Sequence, residues 1–326
     1  MATGSLPKPA SGWSLSPEDK PILIAGAFIL VILAIGTAYT LLTQGTASFL
    51  SPVYLLQQLQ VGAFLGIVAA GAMLVILLGH IDLSIPWTLA AGAMLGTAVG
   101  GPYAIPVGLA VGMAVGRVNG LGVAYLRVPS MIFTLGVNAV MRGFMVMLTG
   151  GYAPQSTGTP LMSFLATGHV LGIPMPLIVW AALSVLVVLL LQRTPVGRYI
   201  YAIGNRERAA YLSGINTRLV IILAFVASGA CSALAGVLLA GYSSKAYQGM
   251  GDPYLLPAIA AVVIGGTNIL GGRGRYLGTV VGTILIVLLT SVLSVMQMPE
   301  AGRQIIYGLV IILMLLVYGR QRGVIT

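Results

Sequence analysis

The feature that most constrains this chain is a succession of unbroken apolar runs, each close to the thickness of a lipid bilayer. The first extends from Pro21 to about Thr43 without a single charged residue. A hydrocarbon core about 30 Å thick takes roughly 20 such residues per helix, so a run of this kind reads as a membrane crossing. The runs are continuous and do not alternate with period two, which excludes a β-barrel. Composition agrees, since 58% of the 326 residues are hydrophobic and only 7% are charged, far from the usage of soluble domains. The expected fold class is all-α, a polytopic membrane helical bundle.

Nine further runs follow, at about Gln58–Gly79, Pro86–Gly100, Ala104–Gly116, Ser130–Thr149, Pro174–Gln192, Leu219–Gly241, Pro257–Leu270, Leu277–Met296 and Arg303–Tyr318. Ten crossings are therefore expected. Proline opens the first, third, sixth and eighth, where its missing N–H costs nothing because the first helical turn has no internal acceptor. The longest candidate loop is 150–173, rich in Gly, Thr and Pro over its first half. Residues 1–20 read as a polar N-terminal tail, 21–320 as the transmembrane domain and 321–326 as a C-terminal tail.

An even number of crossings places both termini on one side. With the N-terminus inside, thirteen of the sixteen Lys and Arg fall in the inner segments 1–20, 117–127, 193–218, 273–275 and 320–322. That asymmetry is the positive-inside pattern, so cytoplasmic termini are expected. Lys245 and Arg303 fall outside, and Arg142 lies within the fifth run. The net charge of +10 is thus a matter of topology. No aromatic-rich basic face accompanies it, and no nucleic-acid partner is expected.

Several chemistries are excluded. None of the three lysines follows glycine, so no Gly-Lys-Ser/Thr phosphate loop exists and the chain cannot hydrolyse ATP by itself. His80 and His169 are far apart without carboxylates at ligand spacing, and the lone cysteine, Cys231, sits in an apolar run. No metal site and no disulfide framework are expected. Glycines recur four residues apart at Gly62/Gly66, Gly92/Gly96/Gly100, Gly108/Gly112/Gly116/Gly120 and Gly278/Gly282, a spacing that lets helix backbones approach closely in lipid.

The inner segment 193–218 contains Gly204-Asn205-Arg206-Glu207-Arg208-Ala209-Ala210-Tyr211-Leu212-Ser213-Gly214. It reads as a short helix with Asn205 as N-cap and Gly214 as stop. Arg206, Glu207 and Arg208 would face outward, while Ala209, Ala210 and Leu212 are small enough to seat in a groove. Such an element would serve as a lever for a separate motor; an ordinary basic amphipathic turn in a loop gives the same pattern.

Asp82, in the polar break His80-Ile81-Asp82-Leu83-Ser84, is the one acid expected at membrane depth. There it would either hydrogen-bond solute hydroxyls along a pathway, or, with Ser84, cap the third helix. Gln60, Thr134, Asn138 and Asn268 are further polar groups expected in apolar spans, as pathway contacts or as interhelical hydrogen bonds. Lys245, Asp252, Glu300 and Arg303 are the outer charges that could meet a soluble partner or simply remain solvated.

Four strings carry a family resemblance. The segment Gly204-Asn205, Ala209-Ala210, Ser213-Gly214-Ile215 resembles the coupling-helix motif of permease subunits in the ribose, xylose, arabinose and galactoside branch of bacterial ABC importers. Gly79-His80-Ile81-Asp82-Leu83-Ser84 is similar to that branch's Gly-Gly-Ile-Asp-Leu-Ser segment, with His80 in place of the second glycine and Ile85-Pro86 in place of Val-Gly. Gly265-Gly266-Thr267 through Gly271-Gly272-Arg273-Gly274, and Arg127-Val128-Pro129-Ser130 with Thr134-Leu135-Gly136 and Arg142-Gly143, match two more.

The resemblance covers about residues 55–320. It implies a ten-helix permease of the bacterial inner membrane that pairs with a second copy or a close paralogue. It also implies ATPase subunits inside, holding ATP and Mg that this chain lacks, and a periplasmic or lipid-anchored sugar-binding protein outside. The cargo would be a pentose or hexose. A permease for a nucleoside, polyol or signalling furanose is the alternative, and a secondary transporter or channel the reading from another class.

Overall fold

The computed structural model describes residues 20–152 and 156–320. The N-terminal tail apart from Lys20, residues 153–155 of the long loop, and the tail 321–326 lie outside the described residues. Seven helices are long and apolar enough to cross a membrane: α1 (Lys20–Gln44), α2 (Pro52–Leu77), α4 (Ala104–Tyr125), α5 (Ser130–Thr149), α7 (Met175–Arg193), α9 (Thr217–Tyr242) and α11 (Tyr276–Val295). The remaining helices are α3 (Ile85–Val99), α6 (Pro160–Thr167), α8 (Pro195–Leu212), α10 (Leu255–Ile264) and α12 (Glu300–Arg320).

Helices α2 and α9 form the centre. From Gly62 to Leu77 every residue of α2 is buried, so the helix is apolar all round, as a helix enclosed by others must be. The glycine ladder of α4 lets α9 approach to backbone contact. A Cβ at Gly112 would stand 2.2 Å from the Gly229 carbonyl oxygen, and one at Gly116 2.2 Å from that of Phe225. Gly278 is equally tight, 1.9 Å from the Gly265 carbonyl. Gly100 departs from the packing role: at φ +67° it ends α3, with only the Thr97 carbonyl within 4 Å.

Three sequence boundaries shift in ways that matter to the interior. α4 continues past Gly116 to Tyr125, because Arg117 lies on its exposed side while Asn119 and Gly120 stay buried. α10 stops at Ile264, not Leu270, since positive φ at Gly266, Gly271 and Gly272 breaks the helix. Asn268 therefore lies in a loop, where its side chain accepts from the Leu270 N–H at 3.0 Å. The 150–173 connector carries α6, capped by Thr159, and a hairpin of His169–Val170 with Ile173–Pro174. Leu171 and Gly172 turn the hairpin with positive φ at both positions, as a type I′ turn requires.

The two short apolar helices organise the interior. At 15 and 10 residues, α3 and α10 rise about 22 and 15 Å, less than a bilayer core. After α2 the chain turns back as an irregular segment, 79–84, and α3 begins beside Ser228, near the middle of α9. The 3-10 turn Asp252–Tyr254 that leads into α10 begins at the same depth, since a Cβ at Gly251 would meet the Pro86 carbonyl at 2.1 Å. From this meeting point α3 runs toward Gly100, and α10 runs toward Gly265, the end of the bundle where α8 lies.

Candidate functional site

A helix that begins inside a membrane bundle exposes N–H groups that water cannot reach, so the protein must supply acceptors. In α3 the second residue is Pro86, which has no N–H to satisfy. Asn138 Oδ1 of α5 accepts from the N–H of Trp87 at 3.3 Å. One helical turn earlier, Thr134 Oγ1 accepts from the Leu83 N–H at 2.9 Å, and Ser130 Oγ from that of Ile81 at 3.2 Å. Three polar residues on one face of α5, four apart, thus replace the water that segment 81–87 would otherwise need.

On the far side of that segment lies Asp82, buried at 4% exposure. Its Oδ1 accepts from the Ser84 N–H at 2.9 Å and the Ser84 hydroxyl at 2.6 Å, and its Oδ2 accepts from the Ser228 hydroxyl at 2.9 Å. Asn119 Nδ2 donates to Ser84 Oγ at 2.7 Å. The cluster thus joins segment 79–84 to α4 and α9. Ser84 holds the N-cap position of α3, but its side chain makes no capping bond to the helix backbone. The cap expectation is corrected accordingly: Asp82 closes an Asx turn ahead of the helix, and Asn138 supplies the bond a cap would make. Asn119 Oδ1 has no partner among the described residues.

Asp82 is not the only acid at mid-bundle among the described residues. Asp252, expected among the outer charges, sits at the mid-bundle start of the turn before α10, within electrostatic reach of Arg142 of α5. Both are exposed on the surface of the single chain. Gln60 is elsewhere: its Nε2 donates to the Ala166 carbonyl at 3.2 Å and ties α2 to α6.

The inner segment differs from its sequence reading. α8 is one 18-residue element from Pro195 to Leu212, broken at Arg206, whose φ of −157° and ψ of 98° are not helical. Asn205 is not the N-cap of the second piece: Arg206, with its extended dihedrals, stands at that position, and Asn205 Nδ2 donates back to the Tyr201 carbonyl. Glu207 is not free to face outward: it pairs with Arg127 at 2.6 Å and accepts from Thr217 Oγ1 at 3.3 Å. Leu212 is 83% exposed, so it fills no groove within this chain, and Ala209 and Ser213 are exposed beside it. Ala210 is buried, Arg206 and Arg208 are exposed, and Gly214 ends the helix at φ +84°.

The first piece of α8 is anchored tightly. A Cβ at Gly204 would stand 1.9 Å from the Leu77 carbonyl oxygen. That carbonyl also accepts from the Gly272 N–H at 2.9 Å. The second piece projects from this anchor, joined to the loop before α5 by the Arg127–Glu207 pair.

A profile of the family described as branched-chain amino acid transport system / permease component matches residues 54–315. The chain belongs to this permease family. Among relatives of the permease is the ribose import permease protein RbsC of Bacillus subtilis, 38% identical over 297 residues, covering 89% of this chain and 90% of the relative. RbsC of Haemophilus influenzae is 36% identical over 271 residues, or 80% and 83% of the two chains. The galactofuranose transporter permease protein YtfT of Escherichia coli K12 is 31% identical over 313 residues, or 94% and 91%. No solved structure matches.

The permease thus pairs a multi-pass bundle, broken at mid-depth, with a projecting element at one end. Sequence reasoning missed the discontinuity. A run of only 15 residues opened by Pro86, next to the polar break at 80–84, was the available signal. Lys245 is exposed beside its bridge to Thr157, while Glu300 and Arg303 pair with each other at 3.3 Å at the start of α12.

Proposed function

We propose that this permease is the membrane subunit of an ATP-driven importer that takes a monosaccharide, a pentose or hexose, from a soluble binding protein. The single observation that carries the reading is the protruding second piece of α8, in a chain that belongs to a transport permease family and has sugar import permeases among its relatives. ATP hydrolysis then belongs to a separate subunit gripping Arg206, Arg208 and Leu212. Its motion reaches the bundle through Gly204 and the Arg127–Glu207 pair.

The end that carries α8 is the cytoplasmic one on this reading. Lys20, Arg127, Arg193, Arg198, Arg206, Arg208, Arg218, Arg273 and Arg275 all lie in the segments at that end, and the positive-inside rule assigns such an end to the cytoplasm. Ten crossings of a bacterial inner membrane follow, with α3 and α10 as the short ones. Arg142 and Asp252 support a second copy. Charged groups at membrane depth face protein or water and not lipid, so a partner covering α5 and the start of α10 would enclose them in a shared pathway with Asn138.

A second reading keeps the machinery and changes the cargo to a signalling furanose, because autoinducer 2 import permeases are also relatives, at 32% identity for the Salmonella typhi protein. Discontinuous helices are also a device of secondary transporters. The requirement for nucleotide separates the two classes. The test is a reconstituted complex with its ATPase and binding protein, offered pentoses, hexoses and furanose signals. The proposal requires that a monosaccharide stimulate both hydrolysis and uptake; stimulation by none of them contradicts it.

A further inference from the structure

The half of the bundle opposite α8 contains a cavity of about 690 Å³ that the pathway face does not include. It is half open and lined by one chain alone, between the first half of α2, the ends of α9 and α11, and the starts of α10 and α12. Pockets for small molecules fall in this size range, and they combine apolar walls with a few placed polar groups.

The wall is rich in tyrosine. Five of the chain's 14 tyrosines line this one cavity: Tyr54, Tyr242, Tyr247, Tyr254 and Tyr307. Two are engaged, Tyr54 with the Ser291 hydroxyl and Tyr307 with the Thr290 hydroxyl. The other three hydroxyls make no hydrogen bond among the described residues, nor does the amide of Gln58 in the same wall. Tyr242 and Tyr247 lie within electrostatic reach of Tyr254, so the three hydroxyls crowd toward one region. Tyr242 and Tyr247 are about half exposed, so these hydroxyls and the amide are open to an occupant of the cavity, and a polar one can pair with them where an acyl chain cannot.

The geometry points to a binding site, inside each permease chain, for a small polyhydroxylated solute. Tyrosine rings would cover the apolar faces of a sugar ring, and the free hydroxyls with Gln58 would exchange hydrogen bonds with its rim. Such a site would hold cargo between release from the binding protein and passage to the mid-bundle, where Tyr254 stands at the head of α10. This inference rests on the monosaccharide reading above.

The experiment uses the complete complex in lipid nanodiscs, with D-ribose as probe. Two near-isosteric variants, Tyr254→Phe and Gln58→Leu, remove polar atoms without changing the packing. Each is expected to weaken equilibrium binding of labelled D-ribose, measured without the binding protein, by about tenfold. In a second readout, Ser243→Cys at the cavity wall is labelled with a membrane-impermeant thiol reagent, and D-ribose is expected to slow the labelling. Wild-type binding in both variants, or labelling slowed by added phospholipid and not by sugar, overturns the site even where the complex imports ribose normally. Failure of the complex to import any monosaccharide removes the functional reading, and the site with it.

Discussion

Ser228 in the middle of α9 donates a hydrogen bond of 2.9 Å to Asp82, which lies 146 residues earlier in the chain. That bond fixes where α3 begins, because the same carboxylate holds the N–H and hydroxyl of Ser84.

The donor arithmetic predicts the outcome of substitution there. An asparagine at 82 can accept from Ser84 with its oxygen and donate to Ser228 with its nitrogen, so Asp82→Asn should fold nearly as well as the wild type. Asp82→Leu leaves Ser84 and Ser228 without acceptors and should yield little folded protein, and Ser228→Ala should cost about 1–3 kcal/mol. Thermal unfolding in detergent measures all three. A well-folded Asp82→Asn that transports nothing would show that the charge itself takes part in transport.

Glycine positions separate the inside of one chain from its proposed contact with another. Gly112→Val should abolish folding, since even the first added carbon meets the Gly229 carbonyl. Gly143 on α5 has nothing within 4 Å of an added Cβ, so Gly143→Leu should fold. If α5 faces a second copy, the same variant should lower the dimer fraction seen by light scattering, and an unchanged fraction would place the contact elsewhere.

The Arg127–Glu207 pair is half exposed, so its worth in stability is small, about 0.2–1 kcal/mol. Its expected effect is on transmission. Glu207→Arg should leave the bundle folded and reduce uptake per ATP hydrolysed, and adding Arg127→Glu should restore part of the ratio. Uptake and hydrolysis assayed on the same vesicles decide the matter, with equal ratios in all variants speaking against the pair.

His80 gives a pH dependence. Burial lowers its pKa from the ordinary 6.5, Glu207 opposes the shift, and Arg127 adds to it. The unfolded chain therefore takes up the proton more readily than the folded one. The stability from a neutral His80 is complete above 6.5 and declines as pH falls below that value through the lowered pKa. The midpoint of thermal unfolding should drop between pH 7.5 and about 5.5 in the wild type and drop less in His80→Gln. Identical slopes would refute the assignment.

The multi-pass helical bundle was legible in sequence because lipid demands long apolar runs, and seven of the runs are helices long enough to cross a membrane. The close packing at Gly112 and Gly116 was legible because small residues at four-residue spacing have few other uses in lipid. The depth at which α3 begins was hidden. It depends on Ser130, Thr134 and Asn138 meeting backbone groups some fifty residues away, and no local pattern encodes such a partnership. The kink at Arg206 was hidden for a similar reason. Local propensity favours one short capped helix after Asn205, whereas Gly204 packed on the Leu77 carbonyl holds the preceding turns as a helix as well.

The most direct test is accumulation of a labelled monosaccharide in proteoliposomes that contain the permease with its ATPase and binding protein. Uptake against a gradient should require ATP, and the ATPase should bind only the face that carries Arg206 and Arg208. Accumulation by the permease alone, with no nucleotide present, would contradict the account.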